Sequence, residues 1–514
     1  MMNKIKQFFS DHDILILTIV ASCLSVASFL YYYNSGLITA YGDSRGHLNI
    51  ARRVFDSLTP GAAQLGGYWL PLLHILMLPT IWNDFMWQSG LSGSIPSMVS
   101  FVLAVVFMYK LVLYIAKDKF SAIIASIIIM LNVNLLYMQS TPMTESLFIC
   151  TVIIFMYFFY KWFQEKNISH LILAAIFLIL SSLNRYEGWG LVIAANVLLI
   201  WDWVQSKFSK KIEGVTVMFA TLSFLGIFMW LLWGAVIFHD PLEFMNNALS
   251  AGNRIKTEIT THKPTGDGNM VDAISTNVFS IFHTSGYLIF IFSAIGVALY
   301  LARKKKKIFD PQIITIFLLT IPFLFDILTV YTGKVPVEVP ELSMQPSPNN
   351  YFNIRYSLYV LPFLAFMISY ISKRKIIQTI LLIVVLLNYF LIFPHNSKPM
   401  AVLRDIGVRH GFEDNDIAWF RNNYDGGLIL ASSGENDPFM FETSMDQKKF
   451  ITEGTYQIWD ASLKNPAENA NWIVTSIYSG RDQVDKFINK EKLSAEYEIV
   501  YEASSRIIYK LKNK

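Results

Sequence analysis

The stretch YGDSRGHLNIARRVFDSLTPG, Tyr41 to Gly61, puts Asp43, Ser44, Arg45 and His47 a few residues after the apolar run DILILTIVASCLSVASFLYYY. A carboxylate in that position can take a proton from a hydroxyl, and a histidine near it can ligate a metal. Asp43 and His47 are four apart, so they share a face if helical geometry begins at Asp43. Further ionisable groups recur beside apolar runs: Glu145 in YMQSTPMTES, Arg185 and Glu187 in NRYEGW, His239 and Asp240 in FHDPLEF, and Arg355 in PNNYFNIRYSLYVLP. Arg254 and His262 lie in the long loop from Pro241 to Ser280. Arg185 and Glu187 occupy a break of a few residues between two apolar runs, a depth at which an ionisable group is expensive unless it is paired or functional.

Each of these has a plainer reading. Asp43 is also a good helix N-cap, and His47 an ordinary interfacial histidine. Arg52 and Arg53 suit lipid headgroups, and Arg185 with Glu187 suits a structural ion pair. Trp69, Tyr186 and Trp189 fit the aromatic belt of a membrane interface, although tryptophan also stacks on sugars.

The elements that must position these groups are membrane helices. Of 514 residues 54% are hydrophobic and 16% are charged, against about 25% charged in soluble domains. The mean hydropathy of +0.41 points the same way, to an α-helical polytopic membrane protein. A net charge of +4 carries no signature of a nucleic-acid partner. Cys23 and Cys150 both fall inside apolar runs, which leaves no disulfide framework and no cysteine-rich zinc site. The first apolar run is longer than a signal-peptide core and is read as a retained helix.

Eleven stretches approach the roughly 20 apolar residues needed to cross a bilayer. They lie near 14–33, 94–116, 119–137, 143–163, 168–184, 187–203, 214–238, 281–302, 311–331, 354–372 and 376–393. Basic residues collect on one side of them: Lys4 and Lys6, Lys117 with Lys119, Lys161 with Lys166, Lys207 with Lys210 and Lys211, Arg303 to Lys307, and Lys373 to Lys375. Cytoplasmic loops carry such an excess, so the N-terminus is expected in the cytoplasm. An odd number of spans then puts the tail outside. Tyr68 to Trp82, interrupted by Pro71 and Pro79, would invert every later basic loop if it crossed, and is read as a juxtamembrane or re-entrant segment.

Two domains are expected: a membrane domain over 1–394 with a first outer loop at 34–93, and an extracytoplasmic α/β domain over 395–514. In the latter, strand-length runs GLILAS, KFITEG, NWIVTS, YEIVYEA and RIIYKL alternate with helical patterns NDIAWFRNNY and DQVDKFINK, the second capped by Ser479 or Asp482. No internal repeat is present. In the first loop, Leu48, Ala51, Val54, Phe55 and Leu58 form an apolar stripe, giving a helix that lies in the interface and stops at Thr59 to Gly61.

Taken together, YGDSRGHLNIARRVFDSLTPG, NVNLLYMQSTPMTES, LNRYEGW and NIRYSLYVLP resemble the GT-C superfamily of membrane glycosyltransferases, in particular the protein O-mannosyltransferase and aminoarabinose-transferase-like group. The resemblance covers roughly residues 10–395. It implies a polyprenyl-phosphate-linked sugar donor, catalysis at the outer leaflet, and a first-loop acid acting as base, which maps onto Asp43. The O-mannosyltransferases carry adjacent Asp and Glu in that loop; here Ser44 follows Asp43, and Glu145 or Glu187 could serve as the second carboxylate.

The residue chemistry fits this. A sugar 1-phosphodiester needs one carboxylate to deprotonate the acceptor hydroxyl and cations to hold the departing phosphate. Arg185 and Arg355 offer paired donors that never lose charge, and Tyr356 adds a hydroxyl. Arg45, His47, Trp69 and Trp189 are candidate substrate contacts. No cofactor is required, although a divalent metal could share the cationic work, with Asp43 and His47, or His239 and Asp240, as its candidate ligands. The expected partners are the donor, membrane lipid, and an acceptor on protein, lipid or polysaccharide. Two rivals remain open: a transporter of lipid-linked sugars, for which Asp326 inside an apolar run speaks, and a non-catalytic scaffold.

Overall fold

The structure is a computed structural model that describes residues 12–247, 264–302, 311–342, 351–371, 373–393, 400–408, 415–477, 482–503 and 506–512. Lys4, Lys6, Arg254, His262, Arg303 to Lys307 and Ser479 lie outside the described residues.

Seven described helices are long and apolar enough to cross a membrane: Asp13–Asn34, Leu91–Ala116, Glu145–Glu165, Glu187–Gln205, Lys210–Phe238, Pro311–Tyr331 and Lys375–Ile392. Met270–Ser285 and Tyr287–Ala302 add a pair bent by 116°. Gly286 makes the bend: its φ is +89°, and a Cβ there would lie 2.2 Å from Asn388 Oδ1, so only glycine fits. Lys119–Met130, Ile168–Asn184 and Ile354–Ser369 are shorter apolar helices. Each of the eleven expected stretches thus holds helix. The loop expected to run to Ser280 ends sooner, because Asn269 caps a helix by accepting from Val271 N and Asp272 N. That helix buries Thr276, Asn277 and Ser280, polar residues that masked it in the hydropathy pattern. The chain is an integral membrane protein.

The chain divides into two compact units. One comprises Met1–Asn34, Ile95–Leu232 and Pro264–Ile406; the other comprises Ser35–Ser94, Trp233–Lys263 and Gly407–Lys514. The first holds nearly all of the membrane-length helix. In the second, five strands form one sheet: β1 (Ile429–Ala431), β2 (Phe450–Ile451), β3 (Trp472–Ser476), β4 (Tyr497–Glu502) and β5 (Arg506–Leu511). The order is β2-β1-β3-β5-β4, with β1 parallel to β2 and β3, and β5 antiparallel to β3 and β4. Alternation sends Ile429, Trp472 and Val474 into one core with Phe420 and Phe439. Leu430 and Ile473 enter another with Val484 and Leu493. Because side chains alternate along a strand, β1 and β3 have both faces covered. All five strand-length runs are strands, and Asp482 caps its helix through Val484 N and Asp485 N.

Within the same unit, the first-loop helix runs from Gly42 to Arg53, and Ser44 to Arg53 are all buried. This corrects the interfacial reading: the helix is covered by protein all round rather than lying with one face in lipid. It also ends before Val54 and Phe55. Its N-cap residue is Tyr41, so Asp43 sits inside the first turn instead of capping it. Arg52 and Arg53 are not headgroup contacts. Arg52 binds the carbonyls of Ile81 and Trp82 and the carboxylates of Asp56 and Asp84, and it covers the Trp87 ring at 4.9 Å. Tyr68 to Trp82 contains only the short helix Leu72–Met77, which begins after Pro71.

Candidate active site

In the membrane unit, helix ends converge five of the singled-out residues. Glu145 and Glu187 are the first residues of their helices, where the positive end of the helix dipole favours a carboxylate. Arg185 occupies the turn between Ile168–Asn184 and Glu187–Gln205, and Arg355 and Tyr356 lie in the 3-10 turn Ile354–Val360. Gly188 lets the turn close. A Cβ there would lie 2.5 Å from the Ser181 carbonyl oxygen, a backbone atom that has nowhere to move. Gly188→Ala is expected to destabilise the protein by about 1–3 kcal/mol and to loosen the Arg185–Glu187 pair. Thermal unfolding in detergent checks it.

The ion pairs are specific. Arg185 Nη2 is 2.9 Å and Nε 3.1 Å from Glu187 Oε1, and Nη1 donates to Thr144 Oγ1 at 2.9 Å. Arg355 Nε donates to Glu145 Oε1 at 2.9 Å, which is also 3.9 Å from Arg185 Nη1. Both guanidiniums lie over Tyr356, at 4.6 Å and 5.0 Å from its ring centre. The Glu145 side chain is 0% exposed and Arg355 3%, whereas Arg185 is 16% exposed. Arg185 and Tyr356 are therefore the reachable face of this cluster, with the Glu145–Arg355 pair beneath.

Arg185 has capacity left. Its guanidinium carries five N–H groups, and three nitrogens make the bonds above, each needing one hydrogen. Tyr359 OH and Glu145 Oε2 are buried without a hydrogen bond from the described residues.

Asp326, conspicuous in the sequence, is buried beside Glu187. An uncharged amide in its place adds no like charge next to that carboxylate. Asp326→Asn should therefore retain folding and activity, whereas Asp326→Ala should lose both in part, as melting and turnover assays will show.

Of the remaining candidates, Trp189 belongs to the same turn but donates its indole N–H to Ser182 O at 3.0 Å and packs on Tyr186. Asp43, Arg45, His47, Trp69, His239 and Asp240 belong to the second unit. There Arg45 Nη2 is 2.6 Å from Glu442 Oε1. His47 is stacked 4.2 Å from Trp69, and its Nδ1 is 2.8 Å from His74 Nε2. Burial, with His47 and Arg53 nearby, holds the His74 imidazole well below its ordinary pKa, so it is neutral. Asp240 accepts from Leu242 N and Asn246 Nδ2. Among the described residues no group of three or more His, Cys, Asp or Glu side chains could hold a metal ion.

Thr144, Tyr359, His74, Asp437 and Glu442 were missed in the sequence. Thr144 precedes Glu145, and Tyr359 follows Tyr356 by three, so both were within reach of a local reading. Asp437 and Glu442 carry no local signal.

Comparison with known proteins matches residues 80–233 to the family described as Dolichyl-phosphate-mannose-protein mannosyltransferase. Comparison with curated protein sequences finds no match. Among solved structures, ArnT from Cupriavidus metallidurans bound to undecaprenyl phosphate is similar with a TM-score of 0.56 at 11% identity, over 96% of this chain and 97% of that one. The Archaeoglobus fulgidus oligosaccharyltransferase in its apo form has a TM-score of 0.51 at 12% identity, over 98% and 75%. The same enzyme tethered to an acceptor peptide containing the NVT sequon gives 0.51 at 12%, over 99% and 75%.

Proposed function

We propose that this chain, a GT-C-type membrane glycosyltransferase, moves a sugar from a polyprenyl-phosphate-linked donor to an acceptor hydroxyl on the extracytoplasmic side. The observation that carries the reading is the Arg185–Glu187 and Arg355–Glu145 cluster, with its reachable guanidinium over Tyr356. The match to the mannosyltransferase family and the undecaprenyl phosphate bound by the structurally similar ArnT support a lipid-phosphate donor. The acceptor peptide of the oligosaccharyltransferase makes protein one acceptor class to test, beside lipid and polysaccharide. The distribution of basic residues supports a cytoplasmic N-terminus, with the catalytic groups and the C-terminal domain on the other side.

Asp43 takes the proton of the acceptor hydroxyl, and the oxygen attacks the anomeric carbon. The bond from that carbon to the phosphate oxygen breaks, with inversion and without a covalent sugar–enzyme intermediate. The leaving lipid phosphate gains one negative charge, so donors from Arg185 and Tyr356 bind the transition state more strongly than the ground state. Glu145 holds Arg355 in place, and Glu187 orients Arg185. Asp326, the residue favouring a transporter, is accounted for by its place beside Glu187.

The test is incubation of purified protein with a panel of radiolabelled polyprenyl-phosphate sugars and candidate acceptors. One donor should be consumed with release of polyprenyl phosphate. Label that crosses sealed vesicles without chemical change would instead establish the transporter.

A further inference from the structure

The polar residues of the first-loop helix recur at Arg45, Asn49 and Arg53, four apart and therefore on one stripe. Such a stripe on a helix buried along its length needs partners. They come from the helix Ser433–Glu442 of the α/β domain. Asn49 Nδ2 donates to the Asp437 carbonyl at 3.0 Å and to Asp437 Oδ1 at 3.1 Å. Arg53 Nη1 donates to the same Oδ1 at 3.3 Å, and Arg45 Nη2 reaches Glu442 Oε1 at 2.6 Å. Gly46, on the same side, allows the close approach: a Cβ there would lie 2.9 Å from Trp69 and 3.3 Å from Asp437 Oδ2.

The attachment continues at both ends. Gly42 N, the residue before Asp43, donates to Gly407 O at 2.9 Å, and Tyr41 bridges Val408. Beyond the helix, Asp56 accepts from Gln447 N and Lys448 N, and Thr59 and Gln64 donate to Gly454 O.

The helix that supplies Asp437 is itself held. Asn436 bonds Asp482 and Arg506, and Arg506 pairs with the buried Asp416. Glu453 accepts from Ser433 N and from the hydroxyls of Ser432 and Ser433, satisfying the first amide of that helix. Hydrogen bonds and the backbone between them thus connect Arg506 of the sheet, through Asn436 and Asp437, to Asn49 and Arg53 of the first-loop helix.

We propose that the C-terminal α/β domain is the positioning device for the catalytic carboxylate, with Asp437 as the positioning residue. Through Asn49 and Arg53 it sets the rotation and height of the first-loop helix. The proposal rests on the reading of Asp43 as base. It gives the α/β domain a part in turnover.

The experiment uses the full chain in detergent, the donor identified by the panel above, and amide hydrogen exchange of residues 44–53. In Asp437→Ala, exchange of that helix should rise at least about tenfold, and kcat should fall about 10- to 100-fold, because misplacement of a reacting group by about 1 Å costs up to 10²-fold. KM for the donor should stay unchanged. Asp437→Asn keeps the acceptor for Asn49 and should restore part of both readouts. Leu493→Ala, in the core on the other face of the sheet, should lower the melting temperature without changing either. Unchanged exchange in Asp437→Ala, a raised KM with normal kcat, or an equal kcat loss in Leu493→Ala would each overturn the proposal. If Asp43→Asn keeps full turnover, the base assignment fails, and the exchange data still decide whether Asp437 orders the helix.

Discussion

Asp43→Asn is expected to lower turnover by about 10²- to 10⁴-fold, the usual contribution of a general base, with little effect on folding. The substitution is isosteric and removes the negative charge and the ability to accept a proton. Asp43 lies in the first turn of its helix, where a negative charge is worth about 0.3–1 kcal/mol through the helix dipole. The burial of the helix and its hydrogen bonds to the α/β domain rest on Arg45, Asn49 and Arg53, which the substitution leaves alone. Transfer measured in reconstituted vesicles, beside melting of the same preparation, separates the two effects. Full turnover in the variant would remove Asp43 from the mechanism.

The second large effect belongs to Glu145. Its side chain is fully buried and takes Arg355 Nε at 2.9 Å, with Arg185 Nη1 3.9 Å away. Taking one partner out of a buried ion pair leaves an uncompensated charge, at a cost of about 3–5 kcal/mol. Glu145→Ala should therefore unfold at markedly lower denaturant or temperature than the wild type, and most of the protein should be lost during extraction. Glu145→Gln keeps an oxygen to accept from Arg355 and should be milder. In that variant Arg355 loses its counter-charge but not its position, so donor binding becomes less selective rather than absent. The check is a melting series of the three proteins together with the donor KM of those that fold. Wild-type melting of Glu145→Ala would show that the pair contributes nothing, and the buried cluster would need another account. The complete burial of Glu145 also argues against a direct encounter with an acceptor hydroxyl, which leaves Asp43 as the better base.

Much of the scaffold was legible because its signals are local. Ile168–Asn184 and Pro311–Tyr331 coincide with the expected runs, since an apolar segment of that length between charged or capping residues has one low-energy solution in a bilayer. The strand runs of the α/β domain were equally plain, because a short apolar run carrying β-branched or aromatic residues between polar or turn residues needs no distant partner to be recognised. The helix starting at Met270 was hidden, because the stripe it buries includes Thr276, Asn277 and Ser280, which hydropathy scores as loop. The first-loop helix was found, but its surroundings were not. An apolar stripe with arginines on the other side reads as interfacial when the second surface that buries those arginines lies hundreds of residues away.

By itself the amino-acid sequence determined that the chain spans a membrane many times, where most of the helices and the strands of the sheet fall, and which uncommon ionisable residues sit at helix ends. Composition, periodicity and capping chemistry are properties of neighbouring residues, and they survive without knowledge of the fold. Only the tertiary structure decided which charge meets which. Glu145 and Arg355 are 210 residues apart, Asn49 and Asp437 are 388 apart, and Asp326 finds Glu187 across two helices. Each pair forms because a buried charge or amide must be satisfied where little water reaches. The identity of its partner is set by how the helices pack, which no stretch of the sequence contains.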